Sequence, residues 1–122
     1  MAFLCQIRTD GSRGESWEVS HRPLVVGRGN CADACIDDDS LSRSHFLIIR
    51  EHEEFFLIDL DSRNGTWVDG EPVSARKLSP NENIMAGQSL FCFLLERGLV
   101  VRPILALLPE FAVAAGSRRQ TV

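Results

Sequence analysis

Three short polar turns carry the side chains best suited to chemistry. The first closes Leu-Val-Val-Gly-Arg (Leu24 to Arg28), and the second is Ser-Leu-Ser-Arg-Ser-His (Ser40 to His45). The third is Asp-Ser-Arg-Asn-Gly-Thr (Asp61 to Thr66). Each presents one arginine: Arg28, Arg43 or Arg63. A guanidinium is a permanently charged, planar fork of N–H donors that fits a phosphate or carboxylate edge-on. If the fold gathers the three turns, they make one anion-sized positive spot, with the Ser42 hydroxyl as a further donor.

Three other chemistries would draw on residues in or near these turns. Ser42, His45 and Asp59 are the residue types of a hydrolytic triad. Ser42 and His45, however, stand three apart on one loop, and no Gly-x-Ser-x-Gly elbow accompanies them. Gly27-Arg28-Gly29 lacks the lysine and the following helix of a P-loop. Cys31 and Cys35 with His45 offer three zinc ligands, but a second paired ligand motif is missing. The sequence therefore predicts binding without catalysis, metal or cofactor.

The chain around these turns is acidic, with 13 basic and 17 acidic residues among 122 and a net charge of −4. An acidic balance speaks against nucleic-acid and membrane-surface binding, both of which need a basic face. A local positive spot on such a protein selects a small anion. Four cysteines, two of them (Cys5 and Cys92) inside apolar runs, read as reduced structural thiols. The opening Met-Ala-Phe-Leu-Cys-Gln-Ile-Arg lacks the basic start and apolar core of a secretory signal, so a cytoplasmic setting is expected.

The elements that must position the turns are short strands. Ala2 to Arg8, Trp17 to Val19, Leu24 to Val26, Phe46 to Arg50 and Phe55 to Leu60 are rich in β-formers and bounded by turn residues. Phe55 to Leu60 is apolar on both faces, which predicts a central strand. Gly29 to Asp39 reads as a polar loop with an apolar dip at Cys35-Ile36. Thr66-Trp67-Val68, Asp69-Gly70 and Pro72-Val73 spell a two-residue hairpin. Leu78 to Glu82 reads as a turn, and Ile84-Met85 and Leu90 to Leu95 complete the series. Trp67 and Phe91 are expected in the core. Strands at intervals of about 8–12 residues indicate an all-β sandwich or barrel.

The ordered set Gly27-Arg28, Ser42-Arg43-Ser44-His45 and Asp59 through Asn64-Gly65-Thr66 resembles the forkhead-associated (FHA) domain signature. Val68-Asp69-Gly70, Leu78, Ile84 and Gly87 also fall where that family has them, so the likeness spans about residues 3 to 97. The resemblance implies an all-β, two-sheet antiparallel β-sandwich of about eleven strands. It implies phosphothreonine-peptide binding by loops at one end, in Ser/Thr-kinase signalling. It assigns phosphate contact to Arg28, Ser42, Arg43 and Arg63, and peptide-backbone contact to Asn64. His45 is given the role of bracing the Ser42 and Gly27 loops, and Gly27 and Gly65 serve backbone geometry. One departure is Asn81-Glu82, where the family often has Gly-Asp; asparagine tolerates the positive φ of such a turn. The alternative within the family is a phosphate-independent assembly module, usually without the arginine and serine present here.

The sequence divides into a sandwich over 1–98 and a C-terminal extension over 99–122. Leu99 to Ala115 is apolar but broken by Arg102, Pro103, Pro109 and Glu110, too short and interrupted for a span of ~20 apolar residues. Leu105, Leu108, Phe111, Ala112 and Ala115 share one face of a short helix, predicted to pack on the sandwich; the alternative is contact with a second chain, as self-association, or with a neighbouring domain. Arg118-Arg119-Gln120-Thr121 has the form of a basic-directed kinase site. The tail is expected to be a disordered end with two solubilising arginines; the alternative is that a phosphorylated Thr121 occupies the pocket of the same or a neighbouring chain.

Overall fold

The computed structural model describes residues 1–96. Among them are eleven strands and no helix: β1 (Ala2–Ile7), β2 (Arg13–Val19), β3 (Leu24–Gly27), β4 (Ala34–Cys35), β5 (Phe46–Glu51), β6 (Glu54–Asp59), β7 (Thr66–Val68), β8 (Glu71–Pro72), β9 (Ala75–Leu78), β10 (Asn83–Ala86) and β11 (Ser89–Leu95). They form a six-stranded sheet in the order β2-β1-β11-β10-β7-β8 and a five-stranded sheet in the order β4-β3-β5-β6-β9. The two-sheet antiparallel sandwich expected from the sequence is present, with one parallel pair, β3 with β4. The predicted extension over 99–122, its helical face and Thr121 lie outside the described residues.

Period-two alternation builds the core. In β11, Ser89, Phe91 and Phe93 point inward while Leu90, Cys92 and Leu94 point out. Inward residues of both sheets meet edge to face: Phe46 and Phe91 have ring centroids 5.8 Å apart at 77°. Phe55 and Phe93 are 5.2 Å apart. Leu4, Val26, Ile48, Leu57, Val68 and Ile84 fill the remaining space and are fully buried.

Several elements depart from the sequence reading. The second strand starts at Arg13, four residues earlier than its apolar signal, because pairing with β1 extends it across a bulge. β9 was not expected, since Ala75-Arg76-Lys77-Leu78 has little β-preference. It is an edge strand on β6, with Arg76 paired to Glu82 and Lys77 to Glu54. β6 is flanked on both sides, as expected, yet only Leu57 in it is fully buried; its outer residues Phe56 and Ile58 are half-exposed. Phe91 is core, but Trp67 is not: it lies on the outer face of β7, half-buried.

The turns obey their chemistry. Asp69 and Gly70 have φ of 49° and 85°, the left-handed pair of a tight hairpin between β7 and β8. Asn81 takes φ 71°, so this asparagine carries the conformation for which the family often has glycine. Glu82 then accepts from the Ser79 N–H and from Arg76, closing the turn before β10.

Candidate functional site

The loops β3–β4, β4–β5 and β6–β7 gather at one end of the sandwich, and main-chain contact fixes the first two together. Gly27, the last residue of β3, lies so close to the second loop that a Cβ would sit 2.1 Å from the Arg43 carbonyl oxygen. Two main-chain bonds run alongside: Arg28 N–H to Ser42 O at 3.1 Å and Gly29 N–H to Arg43 O at 3.0 Å. Arg28 Nε donates to Leu41 O at 2.8 Å, which orients the guanidinium. Among the described residues its two terminal nitrogens have no hydrogen-bond partner, and the Arg43 and Arg63 guanidinium groups have none either. All three side chains are exposed.

Two carboxylates shape the other loops. Asp38 accepts from the Ser40 N–H and hydroxyl through one oxygen, and from Gln88 N–H and Ser89 Oγ through the other. It thereby ties the second loop to the β10–β11 turn. Asp59 does the same for the third loop, accepting from Ser62 Oγ at 2.6 Å, Thr66 Oγ1 at 2.7 Å and Ser62 N–H at 3.0 Å. Gly65 turns that loop back at φ 90°.

The second and third loops are joined by four hydrogen bonds, one of them Leu60 N–H to His45 O at 2.9 Å. His45 is fully buried. Its Nδ1 accepts from Ser42 N–H at 3.0 Å, so Nε2 must carry the proton it donates to Gly65 O at 2.8 Å. The ring thus braces the second loop against the third. The link to β3 is instead the His45 main-chain N–H on Val26 O. Asn64 Nδ2 donates to Ser40 O at 2.8 Å, leaving its carbonyl oxygen for another partner. Arg63 N–H donates to Ser42 Oγ at 3.0 Å. That bond occupies a lone pair on Ser42 Oγ and leaves its hydroxyl proton to donate to another partner.

The structure thus brings Gly27, Arg28, Ser42, Arg43, His45, Arg63, Asn64 and Gly65 to one rim. It does not assemble a triad: His45 meets the Ser42 amide rather than its hydroxyl, and Asp59 is engaged by Ser62 and Thr66. Among the described residues no group of three or more His, Cys, Asp or Glu could hold a metal ion. No helix there is long and apolar enough to cross a membrane. Residue typing alone missed Asp38, Ser62 and the Leu41 carbonyl. The signal available for the first two was an aspartate followed two or three residues later by a serine, the pattern of a side-chain-capped turn.

For Asp59, burial opposes ionisation, but the hydrogen bonds from Ser62 and Thr66 outweigh it and hold the carboxyl below its ordinary range. A depressed folded value means the unfolded chain binds more protons in acid, so the contribution is present above the unfolded value of about 3.9 and lost below it. Thermal melts should therefore show Tm falling on acidification below about pH 4. Asp59→Asn should melt lower at neutral pH and lose less on acidification.

The FHA domain model matches residues 24–87. The glycogen accumulation regulator GarA of Mycobacterium tuberculosis is 35% identical over 91 residues, covering 75% of this chain and 56% of GarA. The oxoglutarate dehydrogenase inhibitor of Corynebacterium diphtheriae is 32% identical over 93 residues, 76% of this chain and 65% of that protein. The chain thus spans little more than half the length of these relatives. Among solved structures, the FhaA FHA domain complexed with the intracellular domain of Rv3910 superposes with a TM-score of 0.69 at 30% identity, over 76% of this chain and 99% of that one. A domain solved in a study of phosphothreonine-dependent FHA domain interactions gives a TM-score of 0.72 at 26% identity, over 80% and 98%. By the family match and the shared sandwich, this chain belongs to the FHA domain family, whose members bind phosphothreonine peptides.

Proposed function

We propose that this chain is a phosphothreonine-dependent interaction module that captures phosphorylated segments of Ser/Thr-kinase substrates on the three-loop rim. The observation that carries the reading is the Ser42 hydroxyl, its acceptor side held by Arg63 N–H beside the oriented Arg28 fork. A phosphothreonine brings about −1.5 to −2 charges and three acceptor oxygens, which need fixed donors more than diffuse charge. Arg28 and Ser42 form the centre of the phosphate seat, Arg43 and Arg63 flank it, and the Asn64 carbonyl oxygen receives a peptide N–H.

Charge-assisted hydrogen bonds contribute ~1.5–3 kcal/mol each. Two or three of them supply ~3–9 kcal/mol, and with the remaining peptide contacts set against the ordering of a flexible chain the expected net is near −8 kcal/mol, about micromolar. That strength suits a reversible reader. Selection of threonine over serine cannot come from apolar burial alone, since one methyl is worth only ~0.8 kcal/mol; the relatives' phosphothreonine dependence motivates this part.

An oriented phosphothreonine peptide library, screened beside its unphosphorylated counterpart, tests the reading. Retention of the phosphorylated pool alone is expected, with a residue preference C-terminal to the phosphothreonine. Equal retention of both pools would replace it with a phosphate-independent assembly role.

A further inference from the structure

Arg28 and Asn64 are each steered by a main-chain carbonyl of the second loop, and the two carbonyls are consecutive in the chain. Arg28 Nε donates to Leu41 O at 2.8 Å, and Asn64 Nδ2 donates to Ser40 O at 2.8 Å. Both side chains are exposed, and an exposed side chain otherwise shares several staggered rotamers. Their direction therefore follows the placement of Ser40 and Leu41.

Asp38 sets that placement. One carboxylate oxygen accepts from Ser40 N–H at 2.9 Å and from Ser40 Oγ, and the Asp38 carbonyl takes Leu41 N–H at 3.0 Å. The other carboxylate oxygen accepts from Gln88 N–H at 2.9 Å and Ser89 Oγ at 2.7 Å. Ser89, the first residue of β11, is buried, so the anchor is part of the sandwich and not of a loop. Gly87 packs on the same joint: a Cβ there would stand 2.6 Å from Ser40 Oγ and 3.0 Å from Asp38 Oδ2. The flanking Asp37 and Asp39 are exposed, and among the described residues their side chains have no hydrogen-bond partner.

We propose that Asp38 is a positioning residue for phosphopeptide binding: it fastens Ser40 and Leu41 to the start of β11, and their carbonyls then aim Asn64 and Arg28. The inference rests on the reading of the rim as a phosphate seat. The sign of the effect separates positioning from charge. Asp38 puts a negative charge on the loop that bears Ser42 and Arg43. If charge alone mattered, neutralising it would tighten the binding of an anion. Loss of positioning weakens it. The amide of Asp38→Asn has a single acceptor oxygen, so either way round it sets an NH2 group against the main-chain N–H of Ser40 or of Gln88.

The experiment titrates a library-selected phosphothreonine peptide into the full chain and into Asp38→Asn, Asp37→Asn and Asp39→Asn, each at a temperature where it is folded. Nitrogen-edited NMR spectra of the ligand-free proteins accompany the titrations. Asp38→Asn is expected to bind at least about fivefold more weakly than wild type, whereas Asp37→Asn and Asp39→Asn bind equally or more tightly. In the ligand-free spectra the Arg28 Nε–H and Asn64 side-chain amide signals should move in Asp38→Asn and stay in place in the other two. Gly87→Ala, which presses on the same joint without changing charge, should weaken binding as well, and it replaces Asp38→Asn should that variant not fold. Equal or tighter binding by Asp38→Asn overturns the proposal, and so do unmoved Arg28 and Asn64 signals. A library from which the wild type retains no phosphorylated peptide ends instead the reading of the rim, and the ligand-free signals alone then decide whether Asp38 places the two side chains.

Discussion

Gly27→Ala is expected to have the largest effect of any single substitution on the rim. The added methyl would stand 2.1 Å from Arg43 O and 2.8 Å from Ser42 O, both main-chain atoms that no rotamer change can remove. The first two loops must separate, and the bonds from Arg28 N–H to Ser42 O and Gly29 N–H to Arg43 O go with them. Overpacking and two lost hydrogen bonds together destabilise by about 2–4 kcal/mol. For a domain of this size that lowers Tm by roughly 10–20 °C. Phosphopeptide binding should disappear even at temperatures where the variant stays folded, because Arg28 and Ser42 lose their shared reference. A variant with wild-type Tm in calorimetry would mean that the two loops do not touch in solution.

Arg28→Ala is the second large effect, and it should separate binding from folding. Arg28 is exposed, and among the described residues its one side-chain bond is Nε to Leu41 O. Its loss should leave Tm within a few degrees of wild type, as surface substitutions usually do. Phosphopeptide affinity should fall by about 2–3 kcal/mol, roughly 30- to 150-fold. Arg28→Lys should recover only part, because an ammonium keeps the charge but cannot hold the Leu41 carbonyl and a phosphate edge with one planar fork. Full recovery by lysine would make the site a diffuse electrostatic one.

The rim was legible from sequence to the extent that its chemistry is local. Gly27, Arg28, Ser42 and Asn64 stand in turns whose composition announces them, and the strands on either side carry strong β-preference. What escaped was set by distant partners. β9 is a strand only because β6 offers it a ladder, since Arg76 and Lys77 prefer nothing of the kind. Trp67 reads as core by residue type, but the alternation between buried Thr66 and Val68 sends it outward. The target of His45 was half visible: its role as a brace is what the family resemblance implies, but its choice of Gly65 O depends on how the third loop folds around Asp59. Asp38 reaches Gln88 and Ser89, some fifty positions along the chain, and no local pattern names them.

The most direct test of the central claim is calorimetric titration of the full chain with one library-selected peptide in two forms, identical except for phosphate on the threonine. The phosphorylated form is predicted to bind with a Kd of about 1–10 µM, weakening as salt rises, and its unmodified twin to give no measurable heat of binding. Equal affinity for the two forms would contradict a rim built to hold a phosphate.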